Sequence, residues 1–284
     1  MSPSNVAAGQ AAGGQAAGAF TSDLSIGDYA LCDQLGLRPI HQVMGSSIYQ
    51  MGYQGATYGM MMGGSIITEL DVLSQAWNEV RENALGRLAS EARELGADAV
   101  VGVQLRTGAH DFAEGAIEYV VVGTAVRREG AGRRDHPVLT ELSVSDYAKL
   151  VQAGIEPAGI AAWSSVFFAA YSFGSMMANQ RQGGMGSLMG VQSYNYELRE
   201  FTQALYSARE QVMQSMGAQA QNMGATGIVG VRINHSMRRQ DVGSGGAGAS
   251  RSGLVVEFHA IGTAITEAAD AKPRPPQTAI DLTT

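Results

Sequence analysis

Residues 95–103 read Leu-Gly-Ala-Asp-Ala-Val-Val-Gly-Val, and residues 223–231 read Met-Gly-Ala-Thr-Gly-Ile-Val-Gly-Val. The resemblance is not isolated, because an earlier pair of stretches repeats in the same order. Residues 24–29 read Leu-Ser-Ile-Gly-Asp-Tyr and residues 142–147 read Leu-Ser-Val-Ser-Asp-Tyr. Similar stretches in the same order are the mark of an internal repeat, so the chain contains two copies of one unit.

A third pair of stretches ends each copy. Residues 118–126 read Glu-Tyr-Val-Val-Val-Gly-Thr-Ala-Val, and residues 257–265 read Glu-Phe-His-Ala-Ile-Gly-Thr-Ala-Ile. The 284 residues are therefore divided into two units of ordinary domain size. We predict a disordered Ala/Gly-rich tail over 1–19, a first domain over 20–128, a linker over 129–137, a second domain over 138–267 and a Pro-containing tail over 268–284.

Each copy contains one long stretch with apolar residues at helical spacing, and each stretch ends at a glycine, Gly96 or Gly224. Glycine suits a left-handed helix cap before the chain turns into a strand. After the cap, Val101, Val103 and Leu105 alternate with more polar residues, which predicts a strand with these three on one face. The predicted fold class is therefore α/β (α+β), with a mainly antiparallel sheet packed on one long amphipathic helix in each copy.

Composition excludes several classes of protein. The net charge is -7 and the isoelectric point is about 5.2, whereas a nucleic-acid-binding protein needs concentrated Lys and Arg. No stretch is long and apolar enough for a transmembrane helix, and the N-terminus lacks the pattern of a secretory signal. The single cysteine, Cys32, has no partner for an internal disulfide, so we expect a cytoplasmic protein.

With these elements in place, each copy resembles the YbjQ-like family, which is also named for heavy-metal binding. The resemblance rests on Glu69-Leu70 followed by Arg81-Glu82, on the stretch over 95–103, and on the terminal Gly-Thr-Ala-Val. It implies a small α/β domain that assembles into closed rings, typically pentamers, with no established enzymatic activity. The acidic residues that the family carries after Val-Gly-Val are replaced here, which weakens a metal-binding role.

A candidate ligand site follows from the expected pairing of the last two strands of each copy. If Gln104 lies opposite Glu118, the second copy places Arg232 opposite Glu257, with Asn234 and His259 on the same face. Arg and His supply charge and hydrogen-bond donors for an anion or a small polar ligand. The alternative is a cross-strand salt bridge on a wet surface or at a subunit interface.

No resident cofactor is predicted, although a divalent metal has one candidate site. His110, Asp111 and Glu114 lie together in the first hairpin loop and offer nitrogen and oxygen ligands. Such a combination also arises by chance in a short polar loop. The methionine groups would suit copper(I), but packing explains them without an ion.

Before each helix lies a segment rich in aromatic residues, methionine and glycine, of the kind that packs irregular gaps or contacts a partner. The predicted interface residues are Tyr49, Tyr53, Tyr58, Met60, Met61, Met62, Phe167, Phe168, Tyr171, Phe173, Met176 and Met177.

These observations favour a non-enzymatic scaffold protein whose partner is a further copy of itself, as a five-fold ring of two-domain chains or a larger assembly of such rings. The alternative function is a metal- or small-ligand-binding module with pockets repeated around the ring axis. A protein partner bound through the two tails remains an open alternative.

Overall fold

The computed structural model describes residues 20–50, 67–110, 116–130, 134–171, 197–242 and 251–267. Residues 20–128 are called the first half below, and residues 138–267 the second half. The two predicted tails lie outside the described residues. None of the described helices is long and apolar enough to cross a membrane.

Both halves have the same order of main elements. The first half contains α1 (Ile26–Gln34), β1 (Leu37–Gln50), β2 (Ile67–Glu69), α2 (Asp71–Glu94), β3 (Ala99–His110) and β4 (Ala116–Arg128). The second half contains β5 (Val138–Leu139), α3 (Val144–Gln152), β6 (Ile155–Ala170), α4 (Arg199–Asn222), β7 (Gly227–Val242) and β8 (Arg251–Glu267). The predicted α/β class, with one long helix and a mainly antiparallel sheet in each copy, is confirmed.

Two four-stranded sheets form the body of the molecule. The first sheet has the strand order β1-β4-β3-β5, and the second has the order β2-β6-β8-β7. Each sheet therefore contains one short strand from the other half of the chain. β2 precedes α2 but pairs antiparallel with β6, whereas β5 follows the first half and pairs parallel with β3. This exchange of strands joins the two halves at the level of the backbone.

The two long helices, α2 and α4, each have 24 residues and end as predicted. Gly96 and Gly224 follow them with φ values of +69° and +70°, in the left-handed region that favours glycine. The helix α2 lies between the sheets, because its buried side chains contact residues of β1 and β4 on one side and of β6 on the other. The helix α4 covers the opposite face of the second sheet.

The predicted alternation along β3 is wrong at one point. Gly102 has a φ of +63° and forms a bulge, so the pairing with β4 shifts between Val101 and Gln104. Val101 consequently packs against α1 and α3, while Val103 and Leu105 pack against α2. The same bulge occurs in β7 at Gly230, where φ is +67°.

The predicted register of both hairpins is also wrong. Gln104 lies opposite Val122 rather than Glu118, and Arg232 lies opposite Ile261 rather than Glu257. Both errors are displacements of four residues along the strand. A shift by an even number of residues keeps every side chain on its expected face, so the alternating pattern does not reveal it.

The bulge predicts a difference between two glycines that have open space around them. A Cβ at Gly102 or at Gly86 of α2 would meet no atom within 4 Å, but only Gly102 has a positive φ. We expect Gly102→Ala to lower the free energy of unfolding by about 1–2 kcal/mol, because alanine is strained in the left-handed region. The control Gly86→Ala should raise it by up to about 1 kcal/mol. Urea unfolding of both variants measures this, and a neutral Gly102→Ala would contradict the bulge.

Candidate functional site

A set of polar contacts joins the two halves where α2 meets the outer edge of β6. The Ser164 backbone N–H donates to Asn78 Oδ1 at 2.9 Å, and Asn78 Nδ2 donates to the Ser164 carbonyl at 2.9 Å. One turn earlier on α2, Ser74 Oγ accepts a hydrogen bond from the Val166 N–H at 2.9 Å. Side chains of the first half thus satisfy the backbone of a strand in the second half.

The local sequence explains why α2 can do this. Ser74 and Asn78 are four residues apart, so they lie one above the other on the same side of the helix. A carboxamide presents an NH2 donor group and a carbonyl acceptor side by side, and it therefore pairs with a backbone as a neighbouring strand would. The chain before the helix continues the same edge, since the Leu70 N–H donates to the Val166 carbonyl at 2.8 Å and β2 pairs with β6 beyond it.

Behind this edge lies a buried cluster around His259. Its Nδ1 is 2.9 Å from Ser164 Oγ and 3.2 Å from the hydroxyl of Tyr119, and the two hydroxyls are 3.1 Å apart. Trp77 packs on the imidazole with 4.9 Å between ring centroids and an interplanar angle of 73°. Trp77 and Tyr119 belong to the first half and the other two residues to the second, so this cluster is shared between the halves.

The charge state of this cluster is set by its burial. Burial lowers the pKa of His259 from 6.5 to about 4; the carboxylate of Glu257 opposes this change, and the charge of Arg81 adds to it. The imidazole is therefore neutral at pH 7, and its two ring nitrogens differ in proton occupancy. A neutral imidazole whose Nδ1 faces both hydroxyls joins the halves without placing a second positive charge near Arg81.

Arg81 is itself almost fully buried, although arginine is rarely found in this position. Its guanidinium lies over the indole of Trp163 at 5.7 Å from the ring centroid and donates through Nη1 to Asn78. Its Nη2 is 3.7 Å from Glu82 Oε1 and has no hydrogen-bond partner among the described residues. Arg81 thus connects the helix of one half with an aromatic ring of the other.

The start of the second half, just after the predicted linker, makes a second set of contacts. Glu141, which is buried, accepts hydrogen bonds from Arg232 Nε at 3.1 Å and Nη2 at 3.0 Å. Burial raises the pKa of Glu141, and Arg232 opposes that change. Next to it, the hydroxyls of Thr140 and Thr263 are 3.0 Å apart and buried. Residues 138–141 are therefore held against both sheets.

The four predicted ligand residues do not converge on one pocket. Arg232 contacts Glu141 and the Val103 carbonyl instead of Glu257. Glu257 accepts hydrogen bonds from Ser236 and Arg238 along its own hairpin. Asn234 lies opposite His259 in the register, but it is exposed while His259 is buried. The structure thus separates the predicted set. Arg232 and His259 contact residues of the first half, whereas Asn234 and Glu257 do not.

The predicted metal ligands fall at the edge of the described region. His110 ends β3, whereas Asp111 and Glu114 lie outside the described residues. Within the ranges that the structure describes, no group of three or more His, Cys, Asp or Glu residues could hold a metal ion.

Of the predicted interface residues, four are described. Phe168 packs in the core that α2 shares with the second sheet. Tyr49 donates to Glu79 Oε1 at 2.8 Å on the helix of its own half. Phe167 and Tyr171 pack beside α4, where Tyr171 meets Phe201 at a centroid distance of 4.9 Å. Outside the described residues lie Tyr53, Tyr58, Met60, Met61, Met62, Phe173, Met176 and Met177.

Sequence reasoning missed the residues that join the halves. Ser74, Asn78 and Arg81 are polar residues on the side of α2 that turns out to be buried, and a helix touching two sheets is apolar over more than one stripe. A signal was present, because Trp77 and Asn78 interrupt the usual division into an apolar and a polar face. That pattern points to a polar contact inside an interface.

Comparison with known proteins supports the repeat and extends over most of the chain. The profile of the YbjQ family, described as “Putative heavy-metal-binding”, matches residues 39–129 and 163–267. An encapsulin nanocompartment protein of Mycobacterium tuberculosis is 36% identical over 252 residues, which cover 87% of this chain and 86% of that protein.

Two shorter relatives match only a part of one copy. A UPF0145 protein of Clostridium novyi is 46% identical over 59 residues, covering 21% of this chain and 55% of that protein. A UPF0145 protein of Thermus thermophilus is 46% identical over 66 residues, covering 23% of this chain and 56% of that protein. For these two, the similarity spans about half of the relative.

The buried His259 predicts a pH-dependent stability. Between about pH 6.5 and pH 4 the unfolded chain holds a proton on this residue that the folded chain lacks. The stabilisation is therefore complete above pH 6.5, and the free energy of unfolding falls on acidification by up to about 1.4 kcal/mol per pH unit. His259→Val, which installs the residue found at Val120 of the first copy, should remove this slope. Denaturant unfolding between pH 7.5 and pH 5 measures it.

The matched control is His235→Val at an exposed position of β7, which should keep the slope of the unmodified protein. A slope that survives His259→Val would show that other groups cause the pH dependence.

Proposed function

The chain belongs to the YbjQ family and carries its domain twice, and from this premise we propose that it is a self-assembling structural subunit without enzymatic activity. In this proposal, five two-domain chains form a closed ring in the cytoplasm, or such rings combine into a larger shell. The chain's partner is another copy of itself.

The observation that carries the proposal is the similarity to an encapsulin nanocompartment protein along 87% of this chain and 86% of that relative. A match of this extent includes both copies and the segment that joins them. A role in building a compartment therefore concerns the whole two-domain chain rather than one copy of the domain.

The physical chemistry of the described surface supports the same proposal. Several large apolar side chains are exposed on strands and helices of the single chain, and burying them in association is favourable by about 25 cal/mol per Å². Joining two copies in one chain also makes each second contact intramolecular, which raises the effective concentration of the partner surface.

The proposal predicts the mass of the native particle. Light scattering after size-exclusion chromatography should give a mass several times the 29.7 kDa of one chain, and about 150 kDa for a ring of five. Negative-stain images should show closed particles of uniform size. A particle of 29.7 kDa throughout a concentration series would contradict the proposal.

The second candidate function is a metal- or small-ligand-binding module with pockets repeated around the ring, and the description of the family favours it. Its predicted metal ligands are His110, Asp111 and Glu114, whereas the predicted anion ligands Arg232, Asn234, Glu257 and His259 do not converge on one pocket.

Elemental analysis of protein purified without chelator tests this candidate. We expect less than one transition-metal ion per chain, because the family's acidic residues are replaced by Gln104 and Arg106. One ion per chain that is lost in His110→Ala but kept in His235→Ala would favour the metal-binding function instead.

A further inference from the structure

The two halves of the chain contact each other through unlike surfaces. The second half contributes its front surface, defined here by Val144 of α3 and by the side of β6 with Val166. The first half contributes its rear surface, defined by Asn78 on the outer side of α2 and by Val103 at the outer edge of β3. Because the halves are copies, each has both surfaces, and the chain uses only one of each.

The unused front surface belongs to the first half, and the repeat identifies its residues. Ile26 corresponds to Val144; Val144 is fully buried against the first half, whereas Ile26 is 91% exposed. Ile48 corresponds to Val166, and their exposed fractions are 56% and 0%. Large apolar side chains of the first half are thus exposed to solvent at positions whose counterparts in the second half are buried.

The unused rear surface belongs to the second half and shows the same contrast. Tyr206 of α4 corresponds to Asn78, and their exposed fractions are 66% and 6%. Val231 of β7 corresponds to Val103, with 40% and 0% exposed. The start of β3 is covered because Thr140 and Leu142 accept hydrogen bonds from Val103 and Gly102. Among the described residues, no backbone carbonyl accepts such a hydrogen bond from the start of β7, although the side chains of Glu141 and Leu142 lie beside Gly230.

The backbone groups at the edges of β6 and β1 show the same contrast as the side chains. On β6, the Val166 N–H and carbonyl are bonded by Ser74 and Leu70 of the first half. The corresponding edge of β1 at Ile48 has no equivalent partner in the described part of the chain. The residues that correspond to Ser74 and Leu70 are Thr202 and Leu198, which retain a hydroxyl and a leucine. A second copy of the chain therefore offers the hydroxyl of Thr202 and the backbone N–H of Leu198 as partners for the N–H and the carbonyl of Ile48.

We propose that the rear surface of the second half packs on the front surface of the first half of the next chain, repeating between chains the contact that joins the halves within one. The inference rests on the proposed self-assembly and specifies its surfaces. The contact is head-to-tail, since it joins two different surfaces, and it closes a ring or continues along a chain of subunits. Tyr206 replaces the two-point hydrogen bond of Asn78 with aromatic packing, so the two contacts differ in detail.

Mixing two blocked variants tests the head-to-tail arrangement. A front-blocked chain carries Ile26→Asp and Ile48→Asp, and a rear-blocked chain carries Tyr206→Asp and Val231→Asp. Each alone should fall from the assembled mass to that of one chain, because buried unpaired carboxylates prevent the contact. An equimolar mixture should give a particle of twice that mass, since one intact front and one intact rear remain.

The possible results separate this inference from the proposed function. If the unmodified protein is monomeric, the proposed function fails and this inference fails with it. If the unmodified protein assembles and both blocked variants assemble equally well, only the surfaces named here are wrong. Blocked variants that are monomeric alone and stay monomeric when mixed would also overturn the head-to-tail contact. Circular dichroism establishes that each variant is folded.

Cross-linking gives a second measurement on unblocked chains. Ile48→Cys combined with Thr202→Cys, treated with a short bismaleimide, should produce a ladder of covalent oligomers on a denaturing gel. The matched control combines Ile48→Cys with Gln214→Cys, whose counterpart Gly86 is exposed, and it should give no ladder. The native Cys32 is buried with a pKa raised to about 11, so it does not compete for the reagent. Equal ladders from both pairs would contradict the proposal.

Discussion

The structure depends on hydrogen bonds to the backbone N–H and carbonyl groups at the outer edge of β6. A strand edge exposes N–H and carbonyl groups that are costly to bury unpaired. Asn78, Ser74 and Leu70 pair with this edge, and they all belong to the other half of the chain. The halves must therefore lie side by side, and this placement determines which surfaces remain for further contacts.

Much of this architecture follows from the sequence. The repeated stretches predicted two copies, and the helical spacing with Gly96 and Gly224 predicted both long helices and their ends. The hairpin registers could not be predicted, because alternation with a period of two cannot distinguish registers that differ by an even number of residues. The bulge at Gly102 was missed for a related reason, since a single glycine in a strand pattern is compatible with a regular strand as well.

At the candidate site, the prediction from sequence failed for a different reason. Arg232 and Glu257 were paired on the assumption that each copy forms its contacts within itself, whereas Arg232 in fact contacts Glu141 and also the Val103 carbonyl of the first half. The predicted partner of His259 was likewise a neighbour on its own sheet, but its ring packs on Trp77 and Tyr119 of the other half. Contacts between copies leave no periodic signal in either strand pattern, so the alternation along β7 and β8 could not identify the partners of Arg232 and His259.

The exchange of β2 and β5 has a consequence for the independence of the two halves. A cut anywhere in 129–137 would leave the second sheet without β2 and the first sheet without β5, so neither fragment would retain a complete sheet. Each half therefore depends on the other for one strand of its sheet. The chain with both copies is the smallest unit that contains both sheets in full.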